Sequence, residues 1–134
     1  VDRKRILVVD DEIYIVHILE FSLTMEGYNI LTAFDGEEAL RVIEQEHPDL
    51  VVLDIMMPKL DGYEVCRRLR KDERFCTLPV ILLSAKGRAI DREVGLQAGA
   101  DDYITKPFSP RKLLEKIREL LERQENRLGK VVGF

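Results

Sequence analysis

Apolar residues in this chain gather into short continuous runs, separated by longer stretches that repeat with a helical period. Ile6-Leu7-Val8-Val9 is the first run, too short for a helix and rich in β-branched residues, a pattern that suits a strand covered on both faces. Residues 28–33, 50–53 and 80–83 read as further strands, and residues 102–105 as a shorter fifth. Asp10-Asp11-Glu12 opens a helix running to about Met25, closed near Gly27. Asp35 with Glu38 marks a second helix start, with Ala39, Leu40 and Ile43 inward, and His47-Pro48 ends it. Asp61 with Glu64 starts a third helix, packed through Val65 and Leu69. Residues 87–98 read as a fourth, with Ile90 and Val94 on its inner side and Gly99 stopping it. Ser109 and Pro110 are N-cap and first residue of the last helix, whose Leu113, Leu114, Ile117, Leu120 and Leu121 form the cleanest amphipathic stripe. Five strand–helix units in strict alternation predict an α/β fold: a doubly wound parallel sheet with helices on both faces.

Bulk properties narrow the class without naming a function. At 134 residues the chain is one domain's worth, and 46% hydrophobic with 34% charged residues is ordinary for a globular protein. A net charge of -4 leaves no global footprint for nucleic acid or an acidic membrane. No apolar run reaches the roughly 18 residues of a spanning helix, and the start lacks a signal peptide's apolar segment, so a cytoplasmic protein is expected. Cys66, in the third helix, and Cys76, in the loop after it, fit neither a disulfide framework nor a zinc site. The main domain is expected over residues 1–123. Residues 124–134 read as a flexible-looking tail or linker.

The strand ends carry the chemistry. In an open α/β sheet, ligands bind beyond the carboxyl ends of the strands, where the strand order reverses. The first strand ends in Asp10 and Asp11, the third in Asp54, the fourth in Ser84 and the fifth in Lys106. If the first and third strands are neighbours, as in the order 2-1-3-4-5 borrowed from the five-stranded version of this fold, three carboxylates converge. They repel unless cations compensate, and Mg²⁺, which takes one or two carboxylates and shares phosphate oxygens, does this well. A carboxylate nucleophile, a metal, a lysine and a hydroxyl make a phosphoryl-transfer constellation. Each residue also has a plainer reading: Asp10 or Asp11 as a helix cap, Lys106 as a solvated lysine, Ser84 as a strand-end hydroxyl, Asp54 as the cap of a turn. Their coincidence at strand ends favours the site.

Val8-Val9-Asp10-Asp11-Glu12, Leu53-Asp54-Ile55-Met56-Met57-Pro58 with Asp61-Gly62, Ser84-Ala85, and Gly99-Ala100-Asp101-Asp102-Tyr103-Ile104-Thr105-Lys106-Pro107-Phe108 resemble the receiver domain of two-component response regulators. The resemblance covers residues 4 to about 123 and implies a flavodoxin-like (βα)5 three-layer sandwich. It implies phosphoryl transfer from a histidine kinase or small phosphodonor to Asp54. Asp11, Asp54 and the Met56 carbonyl would bind Mg²⁺ (Mn²⁺ substituting), with Asp10 acting through water. Lys106, Ser84 and Ala85 would hold the phosphoryl group. Ser84 and Tyr103 would form a switch, Tyr103 turning from outward to inward, and the Lys106-Pro107 peptide would be cis. The protein would catalyse its own phosphorylation and slow dephosphorylation, acting on no external substrate. Met56 and Lys86 would flank the attacking water.

Partners are written less sharply. His17, Glu20 and Thr24 mark the solvent side of the first helix, and its apolar surplus (Ile13, Tyr14, Ile18 and Phe21 among it) makes a candidate docking strip for a histidine kinase or phosphotransfer protein, together with the loop after the fifth strand. Receivers of winged-helix transcription factors dimerise through the fourth helix, fifth strand and fifth helix. Here Asp102, Lys116 and Leu96 retain part of that face, whereas Glu93 replaces an aliphatic and Lys112 an acid that would answer Arg92. The output is therefore open between a transcription factor, another effector and a stand-alone relay, and Leu128 extends a spacing that suits a short coiled coil. No nucleic-acid contact and no membrane association are expected of this domain. A nucleotide- or flavin-binding domain would need phosphate-cradling glycines after the first strand. An aspartate-nucleophile phosphatase would carry a second aspartate where Met56 stands.

Overall fold

The computed structural model describes residues 3–85 and 89–132, with the side chains of residues 89–91 and 128–132 outside the description. Five strands, β1 (Arg5–Val9), β2 (Asn29–Ala33), β3 (Leu50–Asp54), β4 (Val80–Ser84) and β5 (Asp102–Thr105), alternate with five helices. These are α1 (Ile13–Met25), α2 (Gly36–Glu46), α3 (Gly62–Lys71), α4 (Ala89–Gln97) and α5 (Pro110–Val132). The sheet is wholly parallel in the order β2-β1-β3-β4-β5, so the reversal point lies between β1 and β3.

Alternation along each strand sorts side chains into two cores. Leu7, Val9, Val51, Leu53, Val80 and Leu82 face Ala39 and Ile43 of α2, Val65, Cys66 and Leu69 of α3, and Ala98. Ile6, Val8, Leu50, Val52, Ile81 and Leu83 face Val16, Leu19 and Leu23 of α1 and the stripe of α5. Every residue of β3 and β4 is buried, which is why those strands read as unbroken apolar runs. At roughly 1.5–3 kcal/mol per buried aliphatic side chain, Leu113, Leu114, Ile117, Leu120 and Leu121 alone make α5 a major support of the sheet.

Caps set where the helices begin. Asp35 accepts a hydrogen bond from the Glu38 N–H at 2.8 Å, and Asp61 one from the Glu64 N–H at 2.9 Å. Glu38 reaches back to the N–H of Phe34. The foot of the molecule is tied by Arg70, which donates to the carbonyls of Gly99, Phe75 and Leu78 and to Asp101. Gly99 has φ +106°, and a Cβ there would sit 2.5 Å from the Arg70 stem.

One expectation changes. Val94 is only half-buried; Gly95 and Ala98 are the buried residues of that stretch, and a Cβ at Gly95 would come within 3.0 Å of Leu82. The Ile90 side chain, and the helix start expected at Gly87, lie outside the described residues. The stretch from Gln124 is helical through Val132 as part of α5. The Leu128 side chain lies outside the described residues.

Candidate functional site

Register brings the strand ends level. Val9 of β1 pairs with Leu53 of β3, Asp54 with Leu83 of β4, and Ser84 with Thr105 of β5. Asp10, Asp54 and Ser84 are the buried polar residues of this end, at 0%, 4% and 4% exposure. Ligand oxygens of Asp10, Asp11 and Asp54 all lie within 4.8 Å of one another, with Asp11 on the solvent side. Lys106 follows β5, its N–H bonded to the Ser84 carbonyl at 2.6 Å. Its ammonium lies 2.8 Å from Asp10 Oδ2 and 3.5 Å from Asp54 Oδ1. The structure thus gathers four of the residues singled out in the sequence, Asp10, Asp11, Asp54 and Lys106.

Backbone contacts hold the Asp54 end of β3. The Ile55 N–H donates to the Leu83 carbonyl and the Gly62 N–H to the Ile55 carbonyl, both at 2.9 Å. A Cβ on Gly62 would lie 2.6 Å from the Asp54 carbonyl oxygen, so only glycine lets α3 start this close beneath the site. Asp10 has both oxygens engaged, Oδ2 by Lys106 and Oδ1 by the Glu12 N–H at 2.9 Å.

The electrostatics follow from burial and crowding. Burial, then the charge of Asp10, pushes the Asp54 carboxyl up to about 6, and Lys106 pulls against that rise. Burial alone would lower the Lys106 ammonium; the hydrogen bond to Asp10 and the charges of Asp54, Asp10 and Glu12 outweigh it and raise the pKa. An all-oxygen cluster of this kind, with more negative charge than Lys106 balances, has the donor chemistry that a hard cation requires, so Asp10, Asp11 and Asp54 could hold a metal ion.

The remaining residues are placed as follows. The Met56 side chain and Ala85 are exposed at the rim. The Lys106-Pro107 peptide is cis. Lys86 lies outside the described residues. Tyr103, for which a turn from outward to inward is expected, is buried at 6% exposure, its ring beside Gly95. The ring joins Leu82, Ala98 and Ala100 in the core cluster on that side of the sheet.

One residue was missed. Glu12 opens α1 by its backbone, but its side chain reaches back to 3.6 Å from Lys106 and accepts a hydrogen bond from the Tyr14 hydroxyl. That hydrogen bond first, and then Lys106, hold the Glu12 carboxyl below its usual range. The run of three acids was the only signal.

Two surfaces flank the site. On α1, Val16, Leu19 and Leu23 are buried, whereas Ile13, Tyr14, Ile18, Phe21 and Met25 are exposed. Beside them an apolar groove of about 570 Å³ runs between α1 and the β5–α5 loop, lined by Tyr14, Ile15, Ile18, Phe108 and Pro110 and reaching Lys106. On the α4-β5-α5 side, Arg92, Glu93, Leu96 and Lys112 are exposed, and Lys116 pairs with Asp102 of the same chain at 3.1 Å. Among the described residues, no helix is long and apolar enough to cross a membrane.

Comparison with known proteins agrees with this geometry. The model of the response regulator receiver domain family matches residues 6–118. A probable transcriptional regulator ycf27 of Cyanophora paradoxa is 58% identical over 94% of this chain and 52% of its own length. The alkaline phosphatase synthesis transcriptional regulatory protein PhoP of Bacillus subtilis is 52% identical over 92% of this chain and 50% of its own. The chain therefore spans about half the length of these curated relatives. Among solved structures, a putative response regulator from Chloroflexus aurantiacus superposes with a TM-score of 0.87 at 36% identity, covering 90% of this chain and 99% of that one. A Francisella response regulator receiver domain gives 0.86 at 38%, covering 91% and 99%. Sheet order, acidic cluster, matched residues and close relatives agree, and the chain belongs to the response regulator receiver domain family of two-component systems.

Proposed function

We propose that Asp54 is the phosphoacceptor of a two-component system, taking a phosphoryl group from the phosphohistidine of a sensor kinase or from a small phosphodonor. The observation that carries this reading is a buried carboxylate at the end of β3, 3.5 Å from the Lys106 ammonium and clustered with Asp10 and Asp11. An Asp54 oxygen forms the new bond to phosphorus. The phosphorus–nitrogen bond breaks and leaves its electron pair on the imidazole.

Mg²⁺ fits the donor set; it would be held by Asp11, Asp54 and the Met56 carbonyl, with Asp10 acting through water. When bound it neutralises the charge that grows on the phosphoryl oxygens. Lys106 pairs with one of those oxygens, and the Ser84 hydroxyl and Ala85 N–H donate to others. Drawing Ser84 toward the phosphoryl group shifts the balance at Tyr103, whose buried ring connects the site to the α4-β5-α5 face. The reaction is the protein's own modification, in the cytoplasm, with no external substrate turned over.

The kinase or a phosphotransfer protein docks on the exposed apolar residues of α1 and the β5–α5 loop. The output follows the relatives: an effector domain joined through α5, as expected for a transcriptional regulator. Self-association through α4-β5-α5 is weakened by Glu93 and by Lys112 facing Arg92. The test is incubation with Mg²⁺ and a small phosphodonor, read by intact mass. One acid-stable, base-labile phosphoryl adduct is expected, absent in Asp54→Ala; an adduct that persists in Asp54→Ala overturns the assignment.

A further inference from the structure

Lys106 is held by one more carboxylate than the chemistry above uses. Its ammonium lies 3.6 Å from Oε1 of Glu12, while Oε2 of the same carboxylate accepts the Tyr14 hydroxyl. One side chain is thus divided between a hydroxyl and the site's lysine. Its backbone is fixed as well: the N–H donates to Asp10 Oδ1 at 2.9 Å, and the carbonyl accepts from Ile15 and Val16 at 3.0 and 3.3 Å. An exposed ion pair with free rotation contributes little. Here the anchored backbone and the hydroxyl remove much of that freedom.

We propose that Glu12, oriented by Tyr14, is a positioning residue that latches Lys106 at the mouth of the site and must let it go before the lysine closes on a phosphoryl group at Asp54. The inference rests on the phosphoacceptor reading of Asp54. An ammonium has three N–H donors. Asp10 keeps the close contact at 2.8 Å, and a phosphoryl group arriving at Asp54 brings nearly two negative charges and three acceptor oxygens, so the 3.6 Å contact to Glu12 is the one that yields. The latch therefore opposes phosphoryl binding in the resting protein. Tyr14 also lines the groove along α1, so a kinase docked there covers the hydroxyl that holds the latch in place.

The charge-neutral variant Tyr14→Phe separates this role from a general field effect, because it removes only the orienting hydroxyl. The probe is beryllofluoride, a phosphoryl mimic, titrated calorimetrically into the full chain at saturating Mg²⁺, with thermal melts confirming that each variant is folded. Glu12→Gln is expected to tighten binding about 3–5-fold and Tyr14→Phe about 2-fold, the range of a surface ion pair. The double variant should match Glu12→Gln alone, since Tyr14 acts only through Glu12. Glu20→Gln, which removes an equal charge further along α1, should leave the affinity unchanged. If Tyr14→Phe is silent, or its effect adds to that of Glu12→Gln, the latch is overturned while the phosphoacceptor reading stands. A wild-type protein that binds no beryllofluoride and accepts no phosphoryl group overturns both.

Discussion

At the scale of single residues, the site is a balance of charge that burial makes costly. Asp54 sits among Asp10, Asp11 and one lysine with its carboxyl raised to about 6. A folded-state pKa above the ordinary 3.8 means that protonation favours the folded protein. The Asp54 contribution to stability is then fully present below pH 3.8 and lost as pH rises through about 6. Asp54→Asn, which removes the charge, should stabilise the metal-free protein at pH 7 by about 1–3 kcal/mol, the gain vanishing near pH 4. Chemical denaturation across that window checks it, and an unchanged difference between pH 4 and pH 7 would count against a raised pKa. Met56 belongs to the same scale. Its exposed side chain at the rim is apolar and cannot orient a water, so Met56→Asn should shorten the lifetime of the phosphorylated protein several-fold, followed by intact mass after removal of the donor. An unchanged decay rate would remove Met56 from the account.

At the scale of elements, the placement of Asp54 depends on how closely α3 approaches the end of β3. A methyl group on Gly62 would meet the Asp54 carbonyl at 2.6 Å, a clash with backbone that no flexible side chain can relieve. Gly62→Ala should therefore cost about 2–3 kcal/mol by overpacking and impair phosphorylation together with stability. Gly27→Ala, where φ is +97° and nothing lies within 4 Å, should cost only the backbone term of about 1–2 kcal/mol and leave phosphorylation intact. Thermal melts and adduct yields on the two variants make the comparison. Elements were also where the sequence was most and least legible. Unbroken apolar runs announced β1, β3 and β4, because strands buried on both faces need no alternation. The inner face of α4 was misread at Val94, since Gly95, which makes the close contact, carries no hydrophobic signal. The end of α5 was only partly legible: Leu128 extends the stripe's spacing, whereas Gly129 and Gly133 suggest a flexible tail; one glycine costs a helix only about 1 kcal/mol, and Glu122, Arg123, Gln124, Glu125 and Arg127 are good helix formers.

At the scale of the whole molecule, the acidic cluster lies at the strand ends, with the α1 groove and the α4-β5-α5 side flanking it. The acidic residues of the site were legible because they follow strand ends, and the fold brings strand ends together. Glu12 was not, because no spacing rule says that the residue opening α1 turns its side chain toward a lysine contributed after β5. Nor was the buried Tyr103, because that ring joins Leu82, Ala98 and Ala100 in one core cluster, a long-range arrangement that no local pattern announces. On the α4-β5-α5 side, Lys112 and Arg92 are exposed like charges, which would oppose the proposed self-association. Lys112→Glu should strengthen self-association of the phosphorylated protein, measured by sedimentation; an unchanged monomer fraction would show that this charge does not govern the face. The central claim is narrower than any of these: of three clustered carboxylates, Asp54 takes the phosphoryl group. Borohydride reduction of the phosphorylated protein converts an aspartyl phosphate to homoserine, which peptide mass mapping then locates. The account predicts homoserine at position 54 and nowhere else; homoserine in place of Asp10 or Asp11 would contradict it.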